Sequence, residues 1–120
     1  MLMIRESQME ALARVSFDSF EAGAVDLVRG LFPEDCAAMT DERIRLRIRH
    51  GIARGRSYGL TGKRDLLTFI EHMFILGPAF DSDPQYAWAR ELLTNPEFAS
   101  ATKADLLVRL TLKYLRSKSN

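Results

Sequence analysis

The sequence predicts an all-α protein, a compact single-domain bundle of five to six helices over residues 1–120 with a central apolar helix. Three observations predict this fold class. Apolar residues recur at steps of three and four along nearly every segment, and no segment alternates polar and apolar residues over the length of a strand. Only 7 glycines and 4 prolines interrupt the chain, too few for the many turns of an all-β sandwich. The 47% hydrophobic content is that of an ordinary globular protein.

A long amphipathic helix is predicted over residues 5–31, and a short helix over residues 33–39. Phe32 and Pro33 separate them, because proline cannot continue a helix but is favourable in the first turn of the next one. The apolar stripe of the long helix comprises Met9, Leu12, Ala13, Phe17, Phe20, Ala24, Leu27, Val28 and Leu31.

The next helix is predicted over residues 41–57, with Thr40 as its N-cap and a stop at Gly59. At about 100° per residue, Ile44, Ile48 and Ile52 form the buried stripe of this helix.

A central helix is predicted over residues 62–76, with Thr61 as its cap, because its apolar residues cover nearly the whole circumference. Phe69 and Met73 are expected among the best-buried side chains. Gly77 and Pro78 end this helix.

Two further helices complete the prediction. Asp83 is expected to cap a helix that starts at Pro84 and ends before residue 95, and the loop before it is expected to hold Trp88 against the central helix. An alternative is that Asp81, Asp83 and Trp88 form part of a partner-binding site. The last helix is predicted over residues 102–116.

Charge is segregated along the chain although the net charge is only +1. Residues 1–42 hold nine acidic and three basic side chains, whereas residues 43–64 hold eight basic and no acidic ones. On the helix over residues 41–57, Arg45, Arg49 and Arg56 share one edge, and these are the predicted partner-binding residues. Arginine forks bind carboxylates in two-pronged fashion, which favours an acidic partner. The alternative is that the arginines face water and pair with the acidic first helix, which requires no function.

The sequence predicts neither an enzyme nor a protein that carries a cofactor or a metal. The segment from Gly55 to Gly59 matches the G-x-S-x-G elbow of serine hydrolases, but Ser57 follows a predicted helix and not a strand. His50 and His72 lack metal-ligand spacing, and Asp81 with Asp83 lacks the further oxygens of a calcium loop. The single cysteine, Cys36, is expected to be a small, partly buried residue.

A combination of short motifs resembles a family of small helical bacterial accessory proteins encoded in type VI secretion effector and chaperone gene clusters. The resemblance covers residues 4–93. Its motifs are Ile4-Arg5, Gln8-Met9, Phe32-Pro33, Gly51-Ile52-Ala53-Arg54, Tyr58-Gly59-Leu60-Thr61, Asp65, Phe69, Met73-Phe74, the Gly77 to Pro84 segment and Trp88-Ala89.

This resemblance implies an adaptor or co-chaperone that binds an effector chaperone and modulates loading of an effector onto the VgrG/PAAR spike. The alternatives are an immunity protein that binds a toxin through the acidic first 42 residues, or a small nucleic-acid-binding protein, which the pI of 7.9 disfavours. With no membrane-spanning stretch or signal-peptide pattern, the protein is expected in the cytoplasm, without a membrane partner.

Overall fold

A computed structural model describes the backbone of residues 6–118 and the side chains of residues 19–118. It contains six α-helices: α1 (Glu6–Leu31), α2 (Pro33–Cys36), α3 (Asp41–Ser57), α4 (Lys63–Ile75), α5 (Ala87–Thr94) and α6 (Ser100–Lys118). A 3-10 turn, Pro84–Tyr86, precedes α5. No strand occurs between residues 6 and 118, and the predicted all-α fold of five to six helices is confirmed.

The chain divides into two compact units, Met1–Ile48 and Arg49–Asn120. The boundary falls within α3, which is one continuous helix. The single domain over residues 1–120 stays a prediction.

The first unit is organised around the end of α1. Ala24 and Val28 of the predicted apolar stripe are buried, whereas Leu27 and Leu31 are exposed. Phe20 is half-buried, and the side chains of Met9, Leu12, Ala13 and Phe17 lie outside the described part of the chain, as does the Ile4-Arg5 motif. Val28 O accepts a hydrogen bond from the Sγ of Cys36, and burial raises the pKa of this thiol. Cys36 is therefore a buried structural residue.

Arg29, in the last turn of α1, connects α1 to the start of α3. Its Nε and Nη2 donate to Asp41 Oδ1 at 2.9 and 2.6 Å, and Nη2 also donates to the Met39 carbonyl at 3.0 Å. The predicted cap of α3 is confirmed, because Thr40 Oγ1 accepts a hydrogen bond from the Arg43 N–H at 3.2 Å.

The core of the second unit is built around α4, the predicted apolar helix. Phe69 and Ile70 are fully buried and Met73 is 1% exposed, which confirms Phe69 and Met73 as core residues. The largest apolar side chains that are buried with them in this unit come from the connecting segments, α5 and α6: Leu60, Phe80, Leu93 and Leu107.

Two glycines bring α3 close to α4 within the second unit. A methyl group at Gly51 would lie 2.7 Å from Met73 Sδ and 2.8 Å from Ile70 Cγ1. A methyl group at Gly55, one turn further along, would lie 2.9 Å from Leu66 Cδ2. The two helices can therefore approach this closely only because positions 51 and 55 carry no side chain.

The predicted caps of the later helices have different outcomes. Thr61 does not cap α4, because the residue before the helix is Gly62, which has a φ of +83° and no side chain to accept a hydrogen bond. Asp83 is confirmed as a cap: its side chain accepts from the Gln85 N–H at 2.9 Å at the start of the 3-10 turn that leads into α5.

Candidate functional site

All three predicted partner-binding arginines belong to α3, and the helical repeat predicts that they share one edge of it. At about 100° per residue, Arg45, Arg49 and Arg56 fall within about 40° of one another around the helix axis. Arg45, in the first unit, is half-buried, and Arg49 and Arg56, in the second unit, are exposed. The structure confirms the predicted buried stripe of α3, from which the positions of the arginines around the helix were inferred. Its three isoleucines, Ile44, Ile48 and Ile52, are 0%, 0% and 2% exposed.

Apolar surface accompanies this arginine edge. Leu46 is 57% exposed, and Ala53, one turn after Arg49, is also exposed. An exposed leucine on a helix whose apolar face is already buried contributes nothing to that core. Within the second unit, the guanidinium groups of Arg49 and Arg56 are exposed on the same helix as Ala53, and guanidinium groups bind carboxylates in two-pronged fashion.

A second group of polar residues, inside the second unit, was not predicted. The Nε and Nη2 of Arg54 both donate to Oδ2 of Asp81, with Nε at 2.6 Å. Tyr58, one turn after Arg54, donates its hydroxyl to the same oxygen at 2.7 Å. The segment after α4 therefore folds back so that Asp81 meets the last turn of α3.

Asp81 is completely buried in this cluster, and its Oδ1 has no hydrogen-bond partner. The hydrogen bond to Asp81 raises the pKa of the Arg54 guanidinium, and burial, followed by the bond to Asp81, raises the pKa of Tyr58. Both donors keep their protons at neutral pH, and the buried carboxylate is held by a permanent cation and a neutral hydroxyl. Lys103 Nζ donates to the Tyr58 carbonyl at 2.6 Å and holds the same turn from α6.

The interpretation of Asp81, Asp83 and Trp88 as parts of one partner site is wrong for Asp81, which is inaccessible to a partner. Asp83 is exposed but already binds the Gln85 N–H. The Trp88 ring packs next to the rings of Tyr86 and Tyr114, with centroids 6.2 and 5.9 Å away. Trp88 thus lies against Tyr114 of α6, and its predicted contact with the central helix stays a prediction.

Ser57 lies at the last position of α3, which confirms that the G-x-S-x-G match is the end of a helix. Its Oγ donates to the Arg54 carbonyl at 2.5 Å, and Gly59, with a φ of +85°, turns the chain away from the helix. No strand precedes the serine, so the strained strand-to-helix turn of a nucleophile elbow is absent from this segment.

The two histidines lie in different surroundings. His72 is buried, and its Nδ1 lies 2.7 Å from the Thr68 carbonyl, so Nδ1 carries the proton of the neutral ring. Burial lowers the pKa of His72. His50 is exposed on α3. Among residues 19–118, no three His, Cys, Asp or Glu side chains cluster closely enough to hold a metal ion.

None of the described helices combines the length and the apolar character needed to cross a bilayer. Comparison of the chain with protein-family models, curated protein sequences and solved structures gives no match.

Proposed function

We propose that this protein is a non-enzymatic adaptor that binds an acidic protein through the arginine edge of α3, with Arg45, Arg49 and Arg56 as contact residues. The observation that carries the proposal is that Arg49 and Arg56 are exposed on α3. The isoleucine stripe of the same helix is buried and provides its packing against the core. The surrounding segment, residues 43–64, contains eight basic and no acidic side chains.

The chemistry of these side chains supports an acidic partner. Each guanidinium carries five N–H donors, so an arginine that has a contact within its own chain can still donate to a partner carboxylate. Charged pairs at the rim of an interface mainly speed and orient association, and apolar contacts contribute more of the affinity. The exposed Leu46 and Ala53 supply apolar contact area next to the arginines.

The choice of an effector chaperone as the partner depends on the resemblance of residues 4–93 to accessory proteins of type VI secretion gene clusters. In that setting the adaptor would bind the chaperone and modulate loading of the effector onto the VgrG/PAAR spike. An immunity protein that binds a toxin is the alternative, supported by the nine acidic residues within the first 42.

A pull-down from the native host, read by mass spectrometry, separates these possibilities. We expect an effector chaperone or a spike component. Capture of a toxin would support the immunity function, and capture that is lost on nuclease treatment would support nucleic-acid binding.

A triple variant, R45E/R49E/R56E, then tests the surface. The matched control is R64E/R90E/R109E, which makes the same change of charge at three exposed arginines on α4, α5 and α6. We expect the first variant to lose the partner and the control to retain it. Equal capture by both, with unchanged circular dichroism spectra, would contradict the site assignment.

A further inference from the structure

A groove between α5 and α6 lies outside the arginine edge of α3. Its lining residues are Trp88, Leu110, Lys113, Tyr114 and Ser117, and its volume is about 290 Å³. Ligand pockets typically measure about 300–1,000 Å³, so this groove suits one or two side chains of a partner better than a cofactor.

The shape of the groove is fixed by contacts within the second unit. The Tyr86 and Tyr114 rings meet edge to face with centroids 5.4 Å apart, and Trp88 lies 5.9 Å from Tyr114. Gln85 Nε2 donates to the Tyr114 hydroxyl at 2.8 Å. The groove is therefore preformed, which reduces the entropy lost when a ligand binds.

Positive charge borders the groove on α6. Lys113 is part of its lining, and Lys118 Nζ lies 5.0 Å from the centre of the Tyr114 ring. Interaction with the Lys118 ammonium group lowers the pKa of Tyr114, and the Tyr114 phenol raises the pKa of Lys118, so the ammonium group persists at neutral pH. Residues 102–120 contain five basic side chains and one acidic, whereas Arg90 and Glu91 on α5 offset each other.

We propose that this groove binds a short acidic peptide segment that carries a bulky apolar side chain. The apolar side chain lies between Trp88 and Leu110, and flanking carboxylates pair with Lys113 and Lys118. Aromatic rings offer a large contact area with few rotatable bonds, which favours their use as binding surfaces. The site lies on α5 and α6 and goes beyond the proposed function of α3.

Trp88 is the only tryptophan of the chain, so its fluorescence reports directly on the groove. The probe is a short synthetic peptide with blocked ends, in which a Leu-Phe pair is flanked by glutamates. Two comparison peptides replace the glutamates with lysines or the Leu-Phe pair with alanines. We expect a saturable change in Trp88 emission with the first peptide, and binding at least about tenfold weaker with the other two, which corresponds to about 1.4 kcal/mol.

The charge requirement is tested with K113E, for which we expect about tenfold weaker binding of the acidic peptide. The matched control is K63E, at the start of α4. Ser100 Oγ lies 2.6 Å from Asp65 Oδ2, which places the start of α4 at the start of α6, and Lys113 is about 20 Å further along that helix. We expect K63E to bind like the original protein.

Several results would overturn the proposal: no saturable change in Trp88 emission, equal binding of the lysine-flanked peptide, or equal affinities of K113E and K63E. Loss of peptide binding in R45E/R49E/R56E, with K113E unaffected, would move the peptide to α3 and leave the proposed adaptor function standing. A change in emission with protein concentration alone would show that a second copy of the chain occupies the groove.

Discussion

The substitution R54M tests whether the buried cluster of Arg54, Asp81 and Tyr58 holds the end of α3 in place. Methionine keeps the apolar stem of the side chain and removes the charge, so Asp81 stays buried with Tyr58 as its remaining donor to Oδ2. At about 4 Å between charge centres and an effective dielectric constant of about 20, the lost attraction is about 4 kcal/mol. Because 35% of the Arg54 side chain is exposed, solvent screens this attraction, and we expect a loss of about 2–3 kcal/mol.

Urea denaturation followed by far-UV circular dichroism measures this loss. The matched control is R56M, an exposed arginine of the same helix, for which we expect a change below about 1 kcal/mol because exposed pairs contribute little. D81N should be less destabilising when it is added to R54M than when it is made in the original protein, because R54M has already broken the ion pair. The reasoning would be refuted if R54M and R56M had equal free energies of unfolding, or if the two effects at Arg54 and Asp81 were additive.

Three further predictions concern the stability of individual elements, each measured by urea denaturation. G51A should be destabilising by about 1–3 kcal/mol because the added methyl group overlaps side chains of α4. The control is G23A, which should be stabilising by about 0.5–1 kcal/mol because Gly23 has open space around it. Equal effects of the two substitutions would contradict the close packing of α3 on α4. D83A should be destabilising by about 1 kcal/mol through the lost cap, and a change below about 0.3 kcal/mol would contradict that role. Burial lowers the pKa of His72 below its ordinary value of 6.5, so the folded protein takes up this proton later than the unfolded chain does as the pH falls. The contribution of the neutral, buried His72 to the free energy of unfolding is therefore present above pH 6.5 and is lost as the pH falls below 6.5. We expect H72Q to lose less stability on acidification than the original protein does.

Periodicity and capping residues predicted most of the helices because these signals are local in the chain. The bounds of α3 match the predicted range over residues 41–57, and Ile44, Ile48 and Ile52 are buried as predicted. The start of α4 was placed one residue early, with Thr61 as a cap, because the positive φ of Gly62 carries no side-chain signal.

The buried cluster could not be predicted from the same signals. Arg54 and Asp81 are 27 positions apart, and no periodic pattern connects them. Sequence reasoning considered Asp81 only together with Asp83, as a calcium loop or as part of a partner site, and neither interpretation includes its contact with Arg54. Gly51 and Gly55 did carry a usable signal, because glycines four residues apart on a buried helix face favour a close approach of a neighbouring helix.

The proposed partner-binding surface is predicted only as far as its exposure and charge. Sequence reasoning placed Arg49 and Arg56 next to the buried stripe, and the structure shows them exposed. The identity of a partner depends on a complementary surface that belongs to another molecule, and the residues of one chain do not encode it.

Isothermal titration calorimetry with the captured partner tests the arginine edge most directly. Each exposed arginine–carboxylate pair contributes about 0.2–1 kcal/mol, so reversing three charges in R45E/R49E/R56E should weaken binding by about tenfold or more at low salt. The difference from the original protein should shrink as salt screens the charges, and R64E/R90E/R109E should bind within about twofold of the original. Equal affinities of the two triple variants at low salt would contradict the account.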